Sequence, residues 1–221
     1  MTSQNSILDK IIESQEKQHA AQFSPNELIN NLFKNLSSKE SDILGRRFGL
    51  LGKEKETLEE IGKHYSITRE RIRQIETATV KKIRELKDFK KHLEDAEVHI
   101  THLLENHGGV MEENFMINKI NETSIDDKNS EASRFILTKL LNDKIENIKS
   151  DEDVLNGWKL PTVSADSVKQ TVKELVDIIS KEEKLFQMNE LLGKFKDSEF
   201  YNNNKEQLAS LKLGIEDEDI E

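Results

Sequence analysis

Four side chains that can form hydrogen bonds with the edges of DNA bases lie close together near the middle of the chain. They are Arg69, Glu70, Arg73 and Gln74. On a helix these four and Thr77 fall within an arc of about 140°, and Ile72 and Ile75 point the opposite way. Arginine is the usual bidentate partner of guanine, glutamine pairs with adenine, and glutamate accepts from cytosine. The pattern predicts an amphipathic helix with one face able to recognise bases.

The residues before this helix have the features of a helix-turn-helix. Residues 57–60 form a capping-box pattern that begins a short helix, expected to end near Tyr65. Residues 66 and 67 form a tight turn, and Thr68 caps the long helix, which is expected to continue to about Leu93. Similar capping patterns begin the two preceding helices, at Ser24 and Ser37.

The charge of the chain is unevenly distributed. The net charge is −10, yet residues 37–93 contain fifteen Lys and Arg against ten acids, and the acidic excess lies mainly after residue 93. Counterion release makes the basic segment the expected contact with a DNA duplex. By charge pattern alone, residues 69–74 also fit a solvated helix face with internal ion pairs.

The longer sequence string decides between these two interpretations. Leu-Ser-Ser-Lys-Glu-Ser-Asp-Ile-Leu-Gly-Arg-Arg-Phe-Gly-Leu (36–50), Thr-Leu-Glu-Glu-Ile-Gly (57–62) and Ile-Thr-Arg-Glu-Arg-Ile-Arg-Gln-Ile-Glu (67–76) resemble region 4 of a primary sigma factor. The resemblance covers about a quarter of the chain. No segment resembles the sigma region that melts the promoter, so a self-sufficient sigma factor is not expected.

The resemblance implies a double-stranded, promoter-like DNA partner and roles for individual residues. The positions that would recognise bases of a −35-type element are Arg69, Glu70, Arg73 and Gln74. The positions that would contact the DNA backbone are Lys39, Arg47, Thr57, Leu58 and Arg71. Lys81, further along the same helix, is expected to contact the backbone because of its charge and position, not because of the resemblance. Ala78 stands where the family often has lysine, which puts the activator contacts of the family in doubt for this chain.

Beyond residue 93, six apolar positions recur at an offset of 75 residues, from Ile100–Ile120 to Leu175–Phe195. This spacing predicts two copies of one unit, the first a winged helix with a hairpin at 144–160. Because its third helix is poor in basic residues and its hairpin tip is acidic, protein docking is expected of this unit rather than DNA binding. The second copy lacks room for a hairpin, which predicts an uncovered apolar face.

The predicted fold class is therefore mainly α: a helix-turn-helix domain plus tandem winged-helix-like units with a small β-hairpin. The predicted segments are an N-terminal arm (1–23), the sigma region 4-like domain (24–93), a winged-helix-like domain (94–161), a second, incomplete unit (165–213) and an acidic tail (214–221).

The composition argues against several other classes of protein. With no cysteine, the chain has neither disulfides nor thiolate metal sites, and a cytoplasmic location is expected. No apolar run is long enough for a membrane helix. His99 and His102 have a spacing that can bind zinc, but a solvated helix face is the simpler interpretation. No catalytic motif is present, so we expect no cofactor and no enzyme activity in these residues.

The preferred function is a sequence-specific, DNA-binding transcription regulator. A second interpretation is an accessory or partial sigma factor that binds RNA polymerase. A third, from another class, is the DNA-targeting part of a larger DNA-processing enzyme. RNA polymerase and a second copy of the chain are thus further candidate partners. The sequence does not distinguish activation from repression.

Overall fold

The computed structural model describes residues 23–123, 130–182 and 185–208, which are mainly helical and include one small sheet. They form two compact units. Unit 1 contains the described residues up to Ile100 and those between Ile117 and Asp143. Unit 2 contains Thr101–Met116 and the described residues after Asp143. This division differs from the predicted series of domains, because residues 117–143 belong with the helix-turn-helix. The N-terminal arm and the acidic tail lie outside the described residues, except for Phe23.

Unit 1 begins with four helices that start at the predicted capping residues. Ser24, Ser37, Thr57 and Thr68 each accept a hydrogen bond from the backbone N–H three residues on, and the Ser37 and Thr57 caps are complete capping boxes. The helices are α1 (Pro25–Phe33), α2 (Ser38–Phe48), α3 (Leu58–Tyr65) and α4 (Arg69–Arg84).

The prediction of a single long helix from Thr68 to about Leu93 is wrong in one respect. It is two helices, because α4 ends at Arg84 and α5 (Phe89–Asn106) begins after a turn. Asp88 precedes α5, and its carbonyl accepts the N–H of His92 at 3.0 Å. Asp is a favoured N-cap residue, so Asp88 was a local signal of a second helix start that the apolar periodicity obscured.

The last segment of unit 1 packs on the first helices through an aromatic cluster. Helix α6 (Glu113–Thr123) leads to α7 (Ser130–Phe135), which continues as a π-helical turn, Ile136–Leu140. Phe135 is 1% exposed, and its ring meets Phe48 at a centroid distance of 4.9 Å and Phe33 at 6.3 Å. These edge-to-face contacts join residues that are 87 and 102 positions apart in the chain.

Unit 2 contains a three-stranded antiparallel sheet in the order β1–β3–β2. Its strands are β1 (Val110–Glu112), β2 (Glu146–Ile148) and β3 (Gly157–Lys159). Trp158, at the centre of β3, is paired with Met111 on one side and Asn147 on the other. The hairpin of β2 and β3 lies where the sequence predicted it, and β1 adds a third strand on the other side of β3.

The rest of unit 2 is a set of helices whose core uses residues next to the sheet. The helices are α8 (Ala165–Glu182), α9 (Met188–Asp197), α10 (Glu199–Asn203) and α11 (Lys205–Leu208). Phe195 and Leu208 are buried with Val163, and Val110 and Leu160 pack on the same cluster. The predicted uncovered face is thus partly covered by the sheet region of the same chain. Of the repeat positions, Leu185 is fully exposed and Ile179 is 42% exposed.

The Phe135 contact leads to a stability prediction. Phe135→Ala removes a buried ring and should lower the free energy of unfolding of unit 1 by about 3–5 kcal/mol, the usual range for Phe→Ala in a core. Chemical denaturation of the full chain, followed by circular dichroism, measures this change. Phe115→Ala is the matched control. Because Phe115 is 45% exposed, its replacement should lower the free energy of unfolding much less. Equal losses in the two variants would contradict the aromatic cluster as a main support of this unit.

Candidate nucleic-acid interface

Helices α2, α3 and α4 are held together by one apolar cluster. Ile43, Ile61 and Ile72, one from each helix, are fully buried against one another, and Leu58, Tyr65, Ile67 and Ile75 pack around them. Burial of Ile72 fixes the rotation of α4 about its axis. The opposite face of α4 is therefore the exposed one, as the periodicity predicted.

The turn between α3 and α4 is tight because the backbone adopts a left-handed conformation in it. Ser66 has φ 53°, and the N–H of Ile67 donates to the carbonyl of Gly62 at 3.0 Å. A Cβ placed on Gly62 would lie 2.8 Å from the carbonyl oxygen of Ile67, so no larger residue fits without a backbone shift. This close approach sets the angle at which α4 leaves α3.

The four predicted base-recognising residues are all exposed at the N-terminal end of α4. Arg73 donates from Nε and Nη2 to the two carboxylate oxygens of Glu70, at 2.9 and 2.7 Å. These hydrogen bonds lower the pKa of Glu70, which keeps it ionised. A guanidinium has five N–H donors, so three of those on Arg73 stay available to a ligand.

The two other predicted base-recognising residues, Gln74 and Arg69, differ in their contacts within the protein. Gln74 accepts a hydrogen bond from Nη1 of Arg71 at 3.1 Å through Oε1. The side chain of Arg69 forms no hydrogen bond or ion pair with any residue in the described ranges. The N-terminal end of α4 therefore presents one unpaired guanidinium and two polar pairs, Glu70–Arg73 and Arg71–Gln74.

The predicted DNA-backbone contacts occupy more varied environments. Thr57 is the exposed cap of α3, and Leu58 is its half-buried first residue. Lys39 is exposed and lies over the Tyr65 ring, with Nζ 5.1 Å from the ring centroid. Lys81 is exposed and pairs with Glu85 at 3.6 Å.

Arg47, another predicted backbone contact, is half-buried and already bound inside the protein. Its Nε donates to Glu76 at 3.1 Å, and its Nη1 donates to the Glu56 carbonyl at 3.4 Å. Lys139, from the π-helical turn, also approaches Glu76, at 3.5 Å. Glu76 thus links α2, α4 and the last segment of unit 1, a role that sequence analysis missed.

Sequence analysis also missed Asp42, which joins α2 to α3 and to the loop between them. Its carboxylate accepts from Arg46 at 2.8 Å, from Lys53 at 2.6 Å and from the Tyr65 hydroxyl at 2.6 Å. Burial by itself would raise the pKa of Asp42, but these hydrogen bonds outweigh it and hold that pKa well below its usual range. Burial and the bond to Asp42 raise the pKa of Tyr65 to about 12.

The basic residues in the last turns of α4 have acidic partners too. Lys82 donates to Glu40 at 2.9 Å, and this bond, followed by those from Ser37, lowers the pKa of Glu40 to about 2. Arg84 donates from Nη2 to Asn142 at 2.6 Å and to Asp143 at 2.9 Å. The cationic patch expected here is therefore largely compensated within the protein.

The Asp42 network predicts a pH-dependent loss of stability. Asp42→Asn should destabilise unit 1 by about 1.5–3 kcal/mol near neutral pH, the range for hydrogen bonds to a charged group. Because the folded pKa of Asp42 lies below the unfolded value of about 3.9, this stabilisation is complete above that value and disappears as the pH falls through the folded pKa. Thermal unfolding from neutral to acid pH should show the two proteins converging below about pH 4. The control is Asp88→Asn at an exposed position, and a constant difference across the whole range would contradict the assignment.

Two helices joined by this turn, the second with an exposed polar face, define a helix-turn-helix DNA-binding domain. Residues 32–85 match the family model of sigma-70, region 4. This segment, about a quarter of the 221 residues, is therefore a sigma-70 region 4 domain, a DNA-binding helix-turn-helix of a family that acts in transcription. The family is a DNA-binding one and not an enzyme family. No solved structure matches the chain.

In the ranges that the structure describes, no three or more His, Cys, Asp or Glu side chains are grouped so that they could hold a metal ion. His99 is buried, with its ring 5.8 Å from that of Phe23. None of the helices in these ranges combines the length and the apolar character needed to cross a membrane.

Proposed function

We propose that this protein is a sequence-specific transcription regulator whose sigma region 4 domain recognises a −35-type promoter element. In this proposal α4 enters the major groove, and Arg69, Glu70, Arg73 and Gln74 contact the bases. The observation that carries the proposal is the exposure of these four side chains together at the N-terminal end of the second helix of a helix-turn-helix. Helices of this kind recognise bases with their N-terminal residues.

The contacts on this face support specific roles. The Arg69 side chain forms no hydrogen bond or ion pair with a described residue, so it can donate both ends of its fork to guanine without losing an internal bond. Arg73 is oriented by Glu70, and its remaining guanidinium N–H groups can donate to a base or a phosphate. Arg71, Lys39, Lys81 and the N-terminus of α3 at Thr57 and Leu58 are proposed to contact phosphates, which position the protein without specifying sequence.

Arg47 has a different part in this proposal. Because its guanidinium is bound to Glu76 and to the Glu56 carbonyl, a phosphate would have to share it with these groups. Arg47 is therefore proposed to support α4 and to add a weaker backbone contact. The basic excess of residues 37–93 supports DNA binding that weakens as salt rises.

Replacing Arg69 tests base recognition. Arg69→Ala should cost about 1–3 kcal/mol on the preferred site and relax the choice of base there, because a bidentate contact is lost. Selection of bound duplexes from a random library, followed by affinity measurement on the selected site, gives both quantities. The experiment should use the full chain. A fragment ending at residue 93 would lack Phe135, which packs on Phe33 and Phe48.

Lys90→Ala is the matched control for this experiment. Lys90 is exposed on α5 and forms no ion pair with a described residue, so its loss should weaken binding to all duplexes about equally. An Arg69→Ala protein that selects the same motif with the same affinity would show that this face of α4 does not recognise bases.

The family match favours a second candidate function, that of an accessory or partial sigma factor bound to RNA polymerase. The match includes α2, α3 and α4 entirely and the end of α1, so the helix-turn-helix and the helix before it are available for such an interaction. Copurification of RNA polymerase core enzyme with the full chain, in the absence of DNA, would support this candidate. Binding to the selected duplex without any retention of polymerase would favour the independent regulator.

A further inference from the structure

Arg84 lies on the same face of α4 as the proposed base-recognising residues. It follows Arg73 by eleven residues, which is about 20° around the helix and about 16 Å along it. The core residues Ile72 and Ile83 mark the other side of the helix. A duplex contacted by Arg73 would therefore pass near Arg84, at the distance of a neighbouring backbone phosphate rather than of a base.

The guanidinium of Arg84 is occupied by two oxygens from the last residues of unit 1. Its Nη2 donates to Oδ1 of Asn142 at 2.6 Å and to Oδ1 of Asp143 at 2.9 Å. A carboxylate resembles a phosphate in charge and in the spacing of its oxygens, and arginine binds both with the same N–H groups. Asp143 therefore takes the place that a phosphate oxygen would take.

The segment that carries these two residues is held along α4 by other contacts. Phe135 anchors its beginning in the aromatic cluster, and Lys139 meets Glu76 of α4 at 3.5 Å. The contacts at Glu76 and at Arg84 are eight residues apart on α4, about 12 Å, and they occur in the same order on the segment, at Lys139 and at Asn142 and Asp143. Residues 139–143 thus follow the flank of α4 in the same direction.

The end of this segment is more accessible than its anchor. Phe135 is 1% exposed, whereas the side chain of Asp143 is 67% exposed and that of Arg84 is 33% exposed. An ion pair as open to water as this is weak, so a phosphate can replace the carboxylate without unfolding the anchor.

We propose that Asn142 and Asp143 form an intramolecular latch that occupies Arg84 in the free protein and is displaced when DNA binds. The latch lowers affinity for every duplex equally, since it competes with a phosphate and not with a base. It resides outside residues 32–85, and it therefore adds to the region 4 domain a control that the matched family segment does not contain. The inference depends on the proposed DNA binding but not on the proposed recognition of sequence.

The test compares full-length variants on a duplex of mixed sequence. Asp143→Ala should bind roughly 1.5- to 5-fold more tightly at low salt, which is the fold-change equivalent of the 0.2–1 kcal/mol of an exposed ion pair. The slope of log affinity against log salt should change little, because the latch is displaced and Arg84 contacts the same phosphate in both complexes. Glu54→Ala is the charge-matched control, since Glu54 is exposed in the same unit and forms no ion pair with a described residue.

The double variant separates a latch from simple repulsion. If Asp143 acts through Arg84, Arg84→Ala with Asp143→Ala should bind no better than Arg84→Ala alone. If Asp143 only repels the duplex, its removal would improve binding in both backgrounds, and this result overturns the proposal. An unchanged affinity of Asp143→Ala also overturns it. Failure of Arg69→Ala to change the selected sequence would contradict base recognition and leave the result of this cycle intact.

Discussion

The structure of the DNA-binding unit depends on the burial of three isoleucines, one from each helix of the helix-turn-helix. Because Ile43, Ile61 and Ile72 exclude water from one another, α4 cannot rotate without exposing one of them. That constraint turns Arg69, Glu70, Arg73 and Gln74 outward together. The close approach at Gly62 and the left-handed Ser66 then set the angle of α4 to α3. The exposed polar face is thus a consequence of the apolar one.

Around this cluster, acidic side chains bind basic ones and fix their positions. Asp42 binds Arg46, Lys53 and Tyr65, and Glu76 binds Arg47 and Lys139. These pairs connect elements distant in sequence and use cations that would otherwise be free for phosphate. The positive charge available to DNA is therefore smaller than the count of Lys and Arg suggests, and it includes Arg69 and exposed lysines such as Lys90. Affinity for DNA should depend on a few positions and not on the whole basic segment.

The chain beyond residue 93 serves both compact units. Residues 130–143 complete unit 1 through Phe135, while the sheet and helices α8 to α11 share the core of unit 2. An apolar face that looked uncovered in the repeat is partly filled by Val110, Leu160 and Val163 of the same chain. Burial at the two sets of repeat positions is unequal, since Leu104 is fully buried and its counterpart Ile179 is 42% exposed. The 75-residue repeat therefore stays a prediction.

Local sequence was sufficient for the helix starts, the tight turn, the hairpin and the outward face of α4, because capping residues and apolar periodicity act over a few positions. The sigma region 4 character was also visible in three short strings. The break after Arg84 had a local signal in Asp88, which the apolar periodicity obscured. Tertiary structure alone decided the packing of Phe135 on Phe33 and Phe48 and the partners of Arg47 and Arg84. Each of these contacts joins residues far apart in the chain. The pairing of carboxylates with cations depends on their distances in the folded protein. Those distances cannot be read from the spacing of the residues along the sequence.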